Sequence, residues 1–187
     1  MRDIVTIETK RLKLRRLTLA DGARVAALTS DFDVAKMTTR IPYPHFTAAA
    51  EGWILIGLAR GAKSRDHVFG VELDGEGLIG CIGAHGRAGA EIEVGYWYGK
   101  PYWGRGFASE ALAALMSEAV KFGPLISRHF ADNPASGRVL EKAGFSYTGA
   151  SERIFSLARG AAVAARPMRH EASFAAWESQ QQEAACA

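Results

Sequence analysis

Two cysteines are all that this chain of 187 residues contains. Cys81 sits in an apolar run and reads as a small core residue, and Cys186 lies in the tail. They form neither a disulfide framework nor a zinc-ligand spacing, so a reducing, cytoplasmic setting is expected. Long apolar runs are missing as well. No stretch approaches the ~20 residues that cross a bilayer, and the first residues lack a signal-peptide core, so no membrane partner is expected. Charge of one sign is scarce, since 23 Lys and Arg against 20 Asp and Glu leave a net +3. That balance tolerates an anionic ligand but is too weak to indicate a nucleic acid. The histidines, His45, His67, His85, His129 and His170, show no metal spacing, so no metal is expected. Repeats and domain linkers are absent too, which suits a single domain over 1–187. An apolar share of 48% gives it enough material for a core without staples.

What is present is a mixture of strand and helix signals along the whole chain. Leu12, Leu14 and Leu17 are interleaved with Lys13, Arg15 and Arg16, which suggests a first strand. Asp21 is placed to cap a short helix through Leu28, and Thr47 to cap a second through Trp53, Ile54 and Leu58 to about Ala62. Between them, Ser30 to Phe46 is irregular and ends in Ile41-Pro42-Tyr43-Pro44. Val68 to Leu73 and Leu78 to Ala84 are joined by Asp74-Gly75-Glu76-Gly77, a hairpin signal, and Ile92 to Tyr98 is an aromatic-rich strand. Ala108, Leu112, Leu115, Met116, Ala119 and Phe122 share one face of a helix that Gly123-Pro124 ends. Leu125 to Ala131 reads as a strand, and Asn133-Pro134 opens a short helix that Gly144 closes. Phe145 to Ile154 and Met168 to Phe174 are the last strand candidates, with alanine-rich Gly160 to Arg166 between them as a turn or loop.

The segment from Tyr96 to Glu110 carries the chemistry. A strand runs through a turn containing Gly104 and Gly106 directly into the amphipathic helix. A helix N-terminus has unpaired N–H groups and the positive end of the macrodipole, and the glycines let a ligand approach the main chain. Together they can cradle a phosphate, with Lys100 and Arg105 adding charge nearby. A Gly-x-Gly pair alone is equally consistent with a tight turn that binds nothing. A dinucleotide-binding turn fits less well. Ser109 stands where its third small residue belongs, and the turn follows a hairpin, although Asp132 does come after the next strand.

Val94-Gly95-Tyr96-Trp97 followed by Tyr102-Trp103-Gly104-Arg105-Gly106-Phe107-Ala108-Ser109-Glu110-Ala111 resembles the acetyl-CoA motif of GNAT acetyltransferases. The similarity is greatest to the branch of the ribosomal-protein N-terminal acetyltransferases RimJ and RimL. Asn133 to Phe145 resembles that branch's second motif, and Thr9 to Arg15, Pro42-Tyr43-Pro44 and Trp53-Ile54 are typical of its front end. The resemblance implies an α/β (mixed α+β) GNAT fold, with a central, mixed, mostly antiparallel sheet of about seven strands and helices on both faces. It implies acetyl-CoA as co-substrate and a primary amine as acceptor, on a small molecule or a protein N-terminus. It also places Tyr96, Trp97, Tyr98, Trp103, Gly104, Arg105, Gly106, Phe107, Ala108, Ser109, Asn133 and Ser136 around the cofactor. Trp103 stands where the family's pyrophosphate loop usually begins with Gln or Arg, so backbone amides must do most of the phosphate binding.

The family reaction is direct attack of an amine on the thioester, which needs a deprotonated amine, oxyanion stabilisation and a proton for the thiolate. Glu91 and Glu93, on the strand entering the site, are the candidate bases, with water-mediated deprotonation an equal alternative. Many relatives place a tyrosine acid where this chain has Leu140. Ser136 matches a serine thought to hydrogen-bond the CoA sulfur, and it equally suits a first-turn helix cap. Asn133 is both an N-cap by its Asn-Pro sequence and a pantetheine contact by resemblance. The Asp31 to Phe46 loop is expected to wall the acceptor side. Loss of the usual acid keeps open a non-catalytic acyl-CoA-binding domain of the same fold. A monomer or a homodimer is expected.

Overall fold

The computed structural model describes residues 6–60, 66–87 and 89–185. Cys186 and the expected end of the second helix, at about Ala62, lie outside them. In chain order the elements are β1 (Thr6–Glu8), β2 (Leu12–Arg16), α1 (Gly22–Thr29), α2 (Phe32–Ala35), α3 (Thr47–Arg60), β3 (Asp66–Leu73), β4 (Gly77–His85), β5 (Ile92–Tyr98), α4 (Phe107–Ala119), β6 (Leu125–Phe130), α5 (Pro134–Lys142), β7 (Phe145–Tyr147), β8 (Glu152–Ser156), β9 (Ala161–His170) and α6 (Glu171–Ala185). The strands form one nine-stranded sheet in the order β1-β2-β3-β4-β5-β6-β9-β7, with β8 also on β9. Among the described residues only β5 and β6 pair in parallel.

The centre of the sheet is buried on both faces. β4 reads as a near-continuous apolar run, and seven of its nine residues are buried in sequence, as expected of a strand covered from both sides. Cross-strand partners show which side chain goes where. Ile82 opposite Tyr96 and Ala84 opposite Val94 face α4, while Cys81 opposite Trp97 and His85 opposite Glu93 face the other way. On the first face Phe107, Ala111, Leu112, Leu115, Met116 and Ala119 of α4 complete the main core with Leu14, Ile79 and Leu125. On the second face Val25 and Ala26 of α1 and Ala50 and Ile54 of α3 pack with Leu17, Leu78 and Cys81. Cys81 is a buried core thiol, as read from its sequence context, and burial pushes its pKa up.

Asp21 occupies the N-cap position of α1, but its side chain does not cap that helix. Its carboxylate accepts the Thr18 amide at 2.7 Å and a two-point bond from the Arg15 guanidinium at 2.8 and 2.9 Å. Arg15 also donates to Glu72 at 2.7 Å, which ties β2, β3 and the entry to α1 together. Burial opposes ionisation of Asp21, but Arg15 and the Thr18 amide outweigh it and hold the carboxyl below its ordinary range. A depressed carboxyl stabilises the fold above the unfolded pKa of about 3.9, and the contribution is lost as pH falls below that value. Asp21→Ala is therefore expected to cost about 2 kcal/mol at neutral pH. Thermal melts should show a fall of about 4–8 °C. The gap between variant and parent should narrow on acidification below pH 4. A gap that stays constant into acid would show the ion pair to be without weight.

The back half of the chain departs from its sequence reading. Phe145 to Ile154 is two strands, β7 and β8, broken at Thr148–Ser151, and both pair with β9. The alanine-rich stretch Gly160 to Arg166 is not a loop, since Ala161 onward belongs to β9. β9 is held by β6, β7 and β8, so tertiary pairing overrides the weak strand propensity of alanine. The last strand candidate ends at His170, where α6 takes over.

Candidate active site

A cleft of about 1080 Å³ opens where β5 and β6 part. The two strands pair only at Ile92 with Leu125 and at Glu93 with Ile126, and then diverge. At the fork the Ser127 hydroxyl donates to the Val94 carbonyl at 2.8 Å, which closes the ladder with a side chain. Beyond it, the β5 edge from Gly95 to Tyr98 borders the cleft. The alternation of β5 then divides the cleft in two. Tyr96 and Tyr98 point to the α4 side, and Glu93 and Trp97 to the α1 and α3 side. Trp97 was expected with the cofactor residues. It lines the cleft, but by strand alternation from the opposite face, packing against the Cys81 cluster as well as reaching the main core.

The α4 half has a glycine-led entrance. Gly104 and Gly106 have φ of 71° and 80°, and Gly106 is the N-cap of α4. Nothing lies within 4 Å of where a Gly104 Cβ would stand. The first amides of α4 have no acceptor within the helix. Trp103, Gly104, Gly106, Phe107 and Ala108 line the cleft, whereas Arg105 and Ser109 do not. The Arg105 guanidinium stacks over Phe107 at 4.9 Å instead. Trp103 donates its indole N–H to the Tyr98 carbonyl at 2.7 Å and so anchors the loop to the end of β5. Lys100 turns away from the cradle, to Asp33 at 2.6 Å. The loop is clamped from outside by the turn before β2. Thr9 Oγ1, the Arg11 amide and Arg11 Nε all donate to Glu110, at 2.6, 2.8 and 2.7 Å, and Arg11 Nη1 donates to the Arg105 carbonyl at 3.2 Å.

α5 supplies the far wall of this half. Asn133 caps it by accepting the Ser136 amide at 3.2 Å, with Pro134 in the first turn. The capping role therefore belongs to Asn133, and the Ser136 hydroxyl is left for another partner. That partner is the Tyr96 hydroxyl, 3.0 Å away. Burial raises the Tyr96 phenol to about 12, against the opposing hydrogen bond from Ser136, so it is a protonated donor at neutral pH. This hydroxyl pair, which sequence reading did not find, brings together residues from β5 and α5. Arg138 and Lys142, one turn apart on α5, also line the cleft and were not singled out in the sequence; their i, i+4 spacing was the available signal. Leu140 is wholly buried in the main core and takes no part in the lining. His129 lines the cleft with both ring nitrogens engaged, Nδ1 with the Phe130 carbonyl at 2.8 Å and Nε2 with the Tyr147 hydroxyl at 3.1 Å.

On the other face the Glu93 carboxylate takes a two-point bond from Arg128, at 2.9 and 3.0 Å. Arg128 also donates to Glu152 at 3.1 Å. Glu91 lies just before β5, exposed and away from the cleft, so strand parity does not bring it to Glu93's side. The loop from Met37 to Pro42, together with His45, Trp53 and Ile56, closes this half, as expected of Asp31 to Phe46 in part. Tyr43 and Phe46 of that loop are exposed and do not line the cleft.

These residues fit an extended, phosphate-bearing thioester. The glycine loop leaves open main-chain amides, Arg138 and Lys142 supply positive charge, and the Tyr98 hydroxyl, buried and without a protein partner, is a donor that a ligand would satisfy. A dinucleotide fits worse. β5, α4 and β6 do form a β-α-β crossover, contrary to the sequence reading, but β6 is the one parallel neighbour, and the Asp132 carboxylate is occupied by Arg159 at 2.7 and 3.1 Å.

A sheet split beside a glycine-led helix N-terminus makes a cleft suited to a phosphate-bearing ligand, and comparison with known proteins names the class. The chain belongs to the GNAT acetyltransferase family. The model of the acetyltransferase (GNAT) domain matches residues 11–146. The chain is 32% identical over 149 residues to the uncharacterized N-acetyltransferase YoaA of Bacillus subtilis (strain 168), a match spanning 76% of this chain and 84% of that protein. In fold it is similar to RimL, the ribosomal L7/L12 alpha-N-protein acetyltransferase, in complex with coenzyme A. That match has a TM-score of 0.76 and 14% identity and covers 88% of this chain and 96% of RimL. It is also similar to the microcin C7 self-immunity acetyltransferase MccE in complex with acetyl-CoA and AMP, with a TM-score of 0.75 and 14% identity over 86% of this chain and 92% of MccE. The protein is an acetyl-CoA-dependent acetyltransferase.

Proposed function

We propose that the protein moves the acetyl group of acetyl-CoA directly to a primary amine, both substrates being bound together in the divided cleft. One observation carries this reading: the phosphate cradle and the Tyr96–Ser136 pair lie on one face of the sheet, Glu93 lies on the other, and the β5–β6 fork connects them. Holding two reactants on either side of one opening supplies much of the rate. The free β5 edge offers main-chain amides toward the thioester, as an oxyanion donor must. Glu93 has lone pairs left beyond its Arg128 bonds and is suited to hold the incoming ammonium, with water carrying its proton away. Glu91, outside the cleft, has no such role in this reading. Among the neighbours in fold, RimL is named for a protein N-terminus and MccE was solved with acetyl-CoA and AMP, so the kind of amine is left to the acceptor panel below.

The test is incubation with acetyl-CoA and a panel of small amines and peptides, following free CoA thiol and the mass of the amine product. Matched thiol release and acetylated product are expected. Tight acetyl-CoA binding with no product from any amine would favour a non-catalytic binding domain of the same fold. Within an active enzyme, Glu93→Gln is expected to raise KM for the amine about tenfold, the worth of one charge-assisted hydrogen bond of about 1.5 kcal/mol. KM for acetyl-CoA should change little. If both constants move together, Glu93 acts on the fork rather than on the acceptor.

A further inference from the structure

The backbone of the acceptor loop is held by a turn far away in the chain. Met37, Thr38, Thr39 and Arg40 line the acceptor half of the cleft from the irregular segment after α2. Carbonyls in such a segment have no ladder to join and need donors from elsewhere. Three of those donors come from the turn between β8 and β9 and the strand end that leads into it. Arg159 Nε donates to the Lys36 carbonyl at 2.7 Å, the Ser156 hydroxyl to that of Thr38 at 3.0 Å and the Leu157 amide to that of Thr39 at 3.0 Å. Ser156 is wholly buried beneath this contact.

Arg159 reaches the other half of the cleft as well. Its Nη1 and Nη2 donate to the Asp132 carboxylate at 2.7 and 3.1 Å, and the guanidinium lies over the Phe130 ring at 5.1 Å. Asp132 directly precedes Asn133, the N-cap of α5, and so stands at the root of the cofactor wall. One planar guanidinium therefore spans both walls, and its fixed fork of donors suits a bridge between a carbonyl and a carboxylate. Only 17% of the side chain is exposed, so water competes little for these bonds. The two walls differ in what else holds them. The Ala131 amide donates to the Ala164 carbonyl at 2.8 Å and the Asn133 amide to that of Phe130 at 2.9 Å, which keeps the root of α5 on the sheet without Arg159. The carbonyls of the acceptor loop rely on the turn.

Resting on the transferase reading above, we propose that Arg159 is a positioning residue for the acceptor: it does not line the cleft, but it fixes the acceptor loop against the cofactor wall and so sets the affinity for the amine. Two variants test this. Arg159→Ala removes the bridge, and Asp132→Ala, at an exposed position, removes its far anchor and leaves the bond to the Lys36 carbonyl in place. Hydrogen exchange of the protein alone reads the loop directly. The Met37 and Thr38 amides, bonded to the Val34 and Ala35 carbonyls at 3.1 and 3.0 Å, should exchange faster in both variants, and exchange in α4 should not change. The expected increase is about tenfold in Arg159→Ala and smaller in Asp132→Ala. Initial rates are then measured with acetyl-CoA and whichever panel amine the unaltered protein turns over fastest. KM for that amine should rise about tenfold in Arg159→Ala, with kcat and KM for acetyl-CoA nearly unchanged. Unchanged exchange in both variants would overturn the proposal. Faster exchange with an unchanged amine KM, or with both KM values rising together, would overturn it too and reduce the turn to a structural element; the transferase reading survives either result. If Arg159→Ala does not fold, Asp132→Ala decides by the same readings. No acetylated product from any amine with the unaltered protein would sink the transferase reading and, with it, the acceptor role of Arg159.

Discussion

Gly106→Val is expected to weaken acetyl-CoA binding tenfold or more, about 1.4 kcal/mol. The reason lies in the backbone rather than in crowding. A Cβ at Gly106 would meet only Arg11 Nη2, at 3.5 Å, an ordinary contact. Its φ of 80°, however, lies in the left-handed region, where an L side chain costs about 1–2 kcal/mol and a β-branched one is a rare outlier. Relief requires the residue to rotate toward negative φ. Because Gly106 is the N-cap of α4, that rotation swings the first amides of the helix, those of Phe107 and Ala108, which line the cleft. The Arg11–Glu110 clamp holds the outside of the loop, so the movement is forced inward, toward the ligand. Calorimetry with acetyl-CoA and a thermal melt on the same variant separate the two consequences. A lower melting temperature with unchanged affinity would show that the loop is a turn and nothing more.

Fold and site were legible to different depths. The β3–β4 hairpin, β5 and the α4 stripe were readable because each is locally consistent: alternation or 3.6-residue periodicity, bounded by turn residues. The glycine-led entrance to α4 was readable because a left-handed backbone at a helix start is written as glycine. β9 was not, since Ala161 to Ala165 has little strand propensity and is held by partners distant in the chain. α6 escaped notice because its Glu- and Gln-rich sequence has little periodicity. The pairings of the site were the least legible. Lys100 beside a phosphate loop suggests an anion ligand, but its reach to Asp33 depends on how the loop after α1 folds back. The Glu93–Arg128 pair depends on the register of the short parallel pairing between β5 and β6. Motif resemblance had grouped Trp97 with Tyr96, whereas the alternation of β5 puts the two on opposite faces.

Ser136→Ala is expected to lower kcat about tenfold to a hundredfold and to leave acetyl-CoA affinity and melting temperature nearly unchanged. Stability is spared because Asn133, not Ser136, caps α5. Loss of a cap would instead cost roughly 1 kcal/mol with normal turnover. A hydroxyl that steadies developing charge in a water-poor site typically contributes 10²–10³ in rate. A thiol titrates near 8.5, so the thiolate is already a tolerable leaving group and the lower end applies. Tyr96 sets what Ser136 can do. Its phenol, raised to about 12, stays protonated through the working range, donates to the Ser136 carbonyl at 3.2 Å and lies 3.0 Å from Ser136 Oγ. The phenol thereby holds the serine hydroxyl at the wall of the cleft, and paired hydroxyls strengthen one another's bonds. Tyr96→Phe should therefore lower kcat several-fold, less than Ser136→Ala, and the double variant should be no slower than Ser136→Ala alone. That non-additivity is the signature of two groups acting as one. Simple multiplication of the two losses would show that Tyr96 acts elsewhere on the cofactor. A normal turnover number for Ser136→Ala would remove the serine from the reaction and leave water as the source of the proton.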